Sequence, residues 1–347
     1  MNKKLKIFIP LTIIVIAAVT VLLVFLLKQD PPPSSPPTPP AHTHEFSELT
    51  GNETIEFCTG CSAYLVKGTG SEYLDTEEAA QTLEQVLTDE NVQPIDGKMN
   101  FIISGSVDFD AALSGAAGGA IDLAKNDATE VNIEGLGQNP ELTLVTGDTD
   151  TADTAVFRTK FHNNKYTTPA AGKISITGLK INDTRKTSTS HYTLTNTEFV
   201  CGELYLNNCT FTNCIQFNRG TKAIIENCEF DFNTASRYSI WAGYVGGDGG
   251  TNMDHVETFI IKGCTFKNTT RGIKVVTSGA NITIEGNTFI GLTEKPAIVL
   301  DSLNVELNTV LLKNNTFTDC TKGDWNSPTN NSYDEPYSEQ YFNVTVE

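Results

Sequence analysis

LYLNNCTF (204–211), AIIENCEF (223–230), FIIKGCTF (259–266), ITIEGNTF (282–289) and VLLKNNTF (310–317) are copies of one eight-residue template. Two alternating apolar residues come first, then a polar residue with Asn or Gly, then Cys or Asn, and finally Phe. ISITGLKI (174–181) fits with Leu179 and Ile181 in the last two marked places. Alternating apolar residues on a strand point to one side, and Asn or Gly accepts the left-handed backbone of a tight turn. The closing positions Ile181, Phe211, Phe230, Phe266, Phe289 and Phe317 follow one another at intervals of 30, 19, 36, 23 and 28 residues. A fixed strand with connections of unequal length predicts stacked coils whose insertions fall in loops.

Stacked coils of this kind make a parallel β-helix. Equivalent inward positions then form columns, so Cys209, Cys228, Cys264, Asn287 and Asn315 share one, with a Phe column two residues on. The three cysteines read as small buried residues rather than as a disulfide framework or a metal cluster. YTLTNTEF (192–199) fits the template but ends only 12 residues before Phe211, too near for a full coil, so it belongs to another face or a distorted coil. FIISGSVDF (101–109) and VNIEGLG (131–137) read as earlier, imperfect coils, and FNVTV (342–346) as a last strand. Before the coils, Asp75 and Glu78 form a capping-box pattern that opens a helix through TEEAAQTLEQVL. Ala79, Leu83, Val86 and Leu87 lie on one face of it, suited to closing an open stack end. The fold class is therefore all-β, with the β-helix over residues 72–347 and an N-terminal capping α-helix.

The pattern resembles the right-handed parallel β-helix superfamily, which includes pectate lyases, polygalacturonases and many bacterial surface proteins. The resemblance implies the fold and leaves the chemistry open, because that fold hosts several reactions and many non-enzymes. The enzyme motifs fit poorly. Pectate lyases carry an Asp-His pair directly before a Cys, whereas Asp254-His255 stands several residues before Cys264. Polygalacturonases need an adjacent Asp pair and Arg-x-Lys; here there is no Asp-Asp, and Arg271-Gly-Ile-Lys274 has a different spacing.

Ahead of the β-helix the chain divides into shorter pieces. Residues 1–6 carry Lys3, Lys4 and Lys6, and Ile7 to Leu27 contains no charge. Twenty-one uncharged residues span roughly 30 Å as a helix, and the flanking lysines put the N-terminus in the cytoplasm and the bulk outside. A cleaved signal peptide is the rival, against an over-long apolar run with no small-x-small site after it. Residues 28–41 hold PPPSSPPTPP (31–40), a semi-rigid polyproline stalk.

Residues 42–66 carry His42-x-His44 and, thirteen residues on, Cys58-x-x-Cys61. Two close pairs of imidazole and thiolate ligands suit a tetrahedral, structural Zn²⁺ in a zinc-ribbon-like module. The segment resembles short His-x-His…Cys-x-x-Cys modules of bacterial surface proteins. A Cys58–Cys61 disulfide and an unmetallated linker are the competing readings.

A balance of 24 Lys+Arg against 42 Asp+Glu, net −18, disfavours nucleic acid and leaves carboxylates available to Ca²⁺. The longest insertion, between Phe230 and Phe259, gathers Arg237, Tyr238, Trp241, Tyr244, Asp248, Asp254 and His255 beside a Gly-Gly-Asp-Gly-Gly run. Aromatic rings stack on sugar faces and acids hold hydroxyls, so this insertion is the candidate site for a polysaccharide or a surface protein. A glycine-rich loop packed on the outside of the stack is the plainer alternative. A lyase using Arg237 or Lys274 as base, with Asp248 and Asp254 on Ca²⁺, is the enzymatic one.

Overall fold

The computed structural model describes residues 43–75, 78–110, 120–122, 128–145, 154–158, 172–184, 196–217, 220–232, 238–243, 256–302, 306–327 and 339–347. The expected membrane span, the stalk and His42 lie outside these residues. Among the described residues no helix is long and apolar enough to cross a membrane.

Parallel strands recur in register from coil to coil. Ile174, Leu204, Ala223, Phe259, Ile282, Val310 and Val344 occupy successive partner positions of one column. All but Val344 are buried, as alternation predicts. FNVTV forms the last strand, parallel to Asn308–Lys313. After a left-handed turn residue (Asn208, Asn227, Gly263, Gly286 or Asn314) each coil continues into a second short strand. There Phe211, Phe230, Phe266, Phe289 and Phe317 stack with ring centroids 5.1, 5.0, 4.7 and 5.1 Å apart and planes within 10°. Adjacent strands stand about 4.8 Å apart, so the backbone rather than the rings sets this face-to-face geometry, which isolated aromatic pairs do not prefer.

The column between turn and Phe closes a hydrogen-bonding gap. The Cys264 N–H donates to Asn287 Oδ1 at 2.9 Å, and the Asn287 N–H to Asn315 Oδ1 at 3.0 Å. To the same preceding coil, Asn287 Nδ2 donates to the Ile261 carbonyl and Asn315 Nδ2 to that of Ile284. Cys264 and Cys209 use their thiols on Ile225 and Ile176 in the same way. The turn breaks the strand ladder, and these side chains satisfy groups that would otherwise be orphaned in the core. The hydrogen bond to Cys228 together with burial holds the Cys209 thiol far above the usual range. No disulfide joins cysteines among the described residues.

A second, seven-stranded sheet forms another face. Its members include Thr154–Arg158, Asn196–Val200, Cys214–Phe217, Ile240–Ala242, Ile273–Thr277 and Ile298–Ser302. The end of the template-like segment thus supplies a strand of this other face, Asn196–Val200, paired with Thr154–Arg158 and Cys214–Phe217.

The N-terminal region departs from expectation in two ways. Strands β1 (Phe46–Leu49), β2 (Asn52–Cys58) and β3 (Ala63–Lys67) run antiparallel, and β3 then pairs parallel with β4 (Lys98–Asp110). The 42–66 segment is therefore not set apart from the coils. Its β3 is the first rung, and residues 45–347 form one compact unit. The helix is also shorter than expected. Helix α1 covers Leu83–Thr88 and is capped by Thr82 with Gln85, not by Asp75 with Glu78. Tertiary contacts hold Glu78 and Gln81 out of a helix. Gln81 exchanges hydrogen bonds with the Lys67 main chain, and Glu78 grips Lys67 Nζ at 2.6 Å. Burial disfavours the Lys67 charge, yet Glu78 and Glu56 hold its pKa above the ordinary value.

Charged pairs cross between coils on the outer face. Glu130 receives Lys173 at 3.1 Å and Lys98 at 3.2 Å; Glu141 receives Lys180 at 2.8 Å and Asn182 at 2.7 Å. Burial alone would raise both carboxyls, but these donors hold them below the ordinary value of 4.5. A depressed folded pKa stabilises above the unfolded value and loses that stabilisation as pH falls through the folded one. The urea midpoint is expected to stay level from pH 7 to about 5 and to drop below about 4. Replacing Lys173 and Lys180 with Met is expected to shrink that drop. In the core, Phe266→Ala is expected to cost about 4 kcal/mol in the same urea titration, since it empties a place between two stacked rings.

Candidate metal centre and aromatic face

Strand β2 ends at Cys58, a tight knuckle follows, and β3 begins at Ala63, which pairs with Cys58. Ser62 turns the chain with φ of 55°. The ring nitrogen of His44 and the sulfurs of Cys58 and Cys61 all lie within 4.8 Å of one another. Two sulfurs bound at about 2.3 Å to one tetrahedral ion stand a little under 4 Å apart, so the spacing suits a single Zn²⁺. Cys58 is buried and Cys61 half-buried. Burial, then the hydrogen bond and charge of Cys58, push the Cys61 thiol up to about 12. A divalent cation would reverse that preference, because it binds thiolates and releases their protons. Asn100 of β4 donates through Nδ2 to the carbonyls of Cys61 and Ser62, at 3.1 and 3.2 Å.

The other cluster lies on the second sheet. Trp241 stands in register between Gln216 and Lys274, and Lys274 is followed by Val299. Tyr238 meets Trp241 edge-to-face at 6.3 Å. Lys274 Nζ lies 5.3 Å over the Trp241 ring and 5.8 Å from that of Tyr238, with the Arg271 guanidinium 5.5 Å over Tyr238. Each cation also has a carboxylate: Lys274 with Asp301 at 3.1 Å and Arg271 with Glu294 at 2.9 Å. Tyr238 is buried and Trp241 half-buried, and the Trp241 indole N–H is buried without a hydrogen-bond partner among the described residues. Just beyond, Gly243 has φ of +93°, and a Cβ there would sit 1.7 Å from the Val276 carbonyl oxygen, so only glycine fits.

A family model described as a right-handed β-helix region matches residues 150–334. The chain belongs to the right-handed β-helix family. No curated protein and no solved structure matches it. The match covers the aromatic face of the β-helix and leaves out its first coils and the Cys58–Cys61 knuckle.

Of the seven residues singled out in the long insertion, the described part of the β-helix contains Tyr238 and Trp241, and brings them together. Arg237, Tyr244, Asp248, Asp254 and His255 lie outside the described residues. Arg271 and Lys274, whose spacing departs from the Arg-x-Lys of polygalacturonases, stand against the two aromatic rings. The signal for that was register. Trp241 and Lys274 are neighbours across coils, but a 33-residue interval hides the pairing in the linear sequence. Asn100 was missed because nothing local marks it.

Zinc content is the direct check on the metal centre. The full chain, purified in detergent without chelators, is expected to carry about one zinc per molecule, and Cys61→Ser well under half of that.

Proposed function

We propose that this β-helix is a membrane-anchored, extracellular binding protein that engages glycans or other surface partners through the Tyr238–Trp241 face. The single observation that carries it is the Trp241 side chain. A half-buried indole stands beside a second aromatic ring and two cations. Flat apolar rings take the faces of pyranose rings, while nearby charges take hydroxyls and carboxylates. Both cations are engaged by carboxylates, which suits holding a ligand better than moving a proton. The apolar run Ile7–Leu27 supplies the anchor and residues 28–41 the spacer, with the N-terminus in the cytoplasm. His42, His44, Cys58 and Cys61 hold a structural zinc, and β1, β2 and α1 close the N-terminal end of the stack. Nucleic acid is not among the partners, given a net charge of −18.

The full chain in detergent, offered neutral and uronic-acid polysaccharides with and without Ca²⁺, is expected to bind at least one without altering it. Trp241→Ala is expected to weaken that binding on the order of tenfold, equivalent to about 1.4 kcal/mol. New reducing ends, or unsaturated ends absorbing in the ultraviolet, would replace binding with the alternative of an anchored polysaccharide lyase or glycoside hydrolase. Undiminished binding by Trp241→Ala would move the site elsewhere.

A further inference from the structure

We infer that metal binding at the Cys58–Cys61 knuckle locks the N-terminal end of the β-helix, and that Asn100 is the positioning residue linking the metal centre to the coils. The inference rests on the zinc reading above and adds what the ion does there.

One candidate ligand stands at the same end of each of the first three strands. His44 immediately precedes the β1 segment, Cys58 closes β2, and Cys61 leads into β3. A single ion on these three would fasten all three strands at once. Those strands are the end of the stack: β3 is the first rung, its outer edge is taken by β2, and the outer edge of β2 by β1. An end rung has a coil on one side alone, and open strand edges are where such a stack frays or recruits another chain.

The hairpin joins the main core on its inward side through Ile55, Tyr64 and Val66. Its outward side packs in a small second core of Ala63, Leu65 and Ile102, with Phe46, Cys61 and Tyr73 against it. Cys61 thus belongs both to the candidate metal centre and to the packing over the outer face of β3 and β4. Next to it, the Asn100 amide crosses from the second rung and grips the two carbonyls of the knuckle. Asn100 in turn accepts from Asn132 Nδ2 in the following coil, at 2.8 Å. Three consecutive rungs are therefore tied to the main chain that carries one of the thiols. Fixing the knuckle with an ion fixes the acceptors of Asn100, and losing the ion releases them. Groups held at the main chain behind a metal ligand set both ligand orientation and metal affinity, and an ion bound only by the folded end stabilises that end by mass action.

Hydrogen exchange followed by mass spectrometry on the full chain in detergent, with zinc and after chelation, tests both parts. Chelation is expected to speed exchange at least tenfold in residues 45–67 and 98–104, leaving residues 204–289 unchanged. Asn100→Ala is expected to bind one zinc with at least tenfold weaker affinity, and to keep fast exchange in residues 98–104 when zinc is restored. Zinc content separates the ways this can fail. A chain that binds no zinc overturns the metal reading and the inference together. One zinc per chain with identical exchange in both states overturns the lock alone. Wild-type affinity and exchange in Asn100→Ala overturn the role of Asn100.

Discussion

Every coil of this β-helix has to turn out of its first sheet without stranding a main-chain N–H or C=O inside the core. Strand pairing cannot meet that requirement, because the left-handed turn at Asn208, Asn227, Gly263, Gly286 or Asn314 breaks the ladder. The side chain after the turn meets it, accepting from a main-chain N–H of the preceding coil and donating to a carbonyl of that same coil. Asparagine does both well, having an acceptor and a donor on one short side chain. Cysteine does both weakly but packs as a small apolar group. The gradation from Cys209, Cys228 and Cys264 to Asn287 and Asn315 therefore exchanges hydrogen-bond strength for apolar packing along one column. The Phe stack two residues later depends on this turn, since a slip of one residue would send the ring outward.

Most of that was legible because it is local. Turn residue, column residue and Phe sit within four positions of each other, so one template captures strand, turn and core. The second sheet was far less legible. Its strands are as short as Ile240–Ala242 and follow loops of every length, so no fixed spacing ties Trp241 to Lys274. The start of helix α1 was misplaced for a related reason. Asp75 and Glu78 satisfy the local capping pattern, but Glu78 is drawn to Lys67 and Gln81 to the edge of β3, contacts 11 and 14 residues away that a four-residue capping pattern does not contain. The 42–66 segment likewise looked self-contained because its Cys/His spacing is complete in itself, while its pairing with β4 joins residues more than thirty apart.

The two candidate sites use the coils differently. The Cys58–Cys61 knuckle needs one end of the stack, where the backbone is free to leave the parallel pattern and double back as a hairpin. The Tyr238–Trp241 face needs the middle, where three neighbouring strands hold a column of outward side chains at fixed separation. Lys274 lies over both rings there and still reaches Asp301, so the cations are oriented by aromatic and carboxylate partners together. A ligand meeting this face would find its charges already in place, which lowers the ordering cost of binding.

The ring-to-ring distances in the Phe column, 4.7 to 5.1 Å, make the interior of this protein a ruler with one graduation per coil. The graduations do not depend on how many residues each coil contains, which ranges widely between 19 and 36. Duplication or loss of one coil would therefore change the length of the stack by one fixed step, and leave the chemistry of every other graduation untouched. Growth of a loop would change what is displayed at a graduation without moving it. Length and display are independent variables in this architecture.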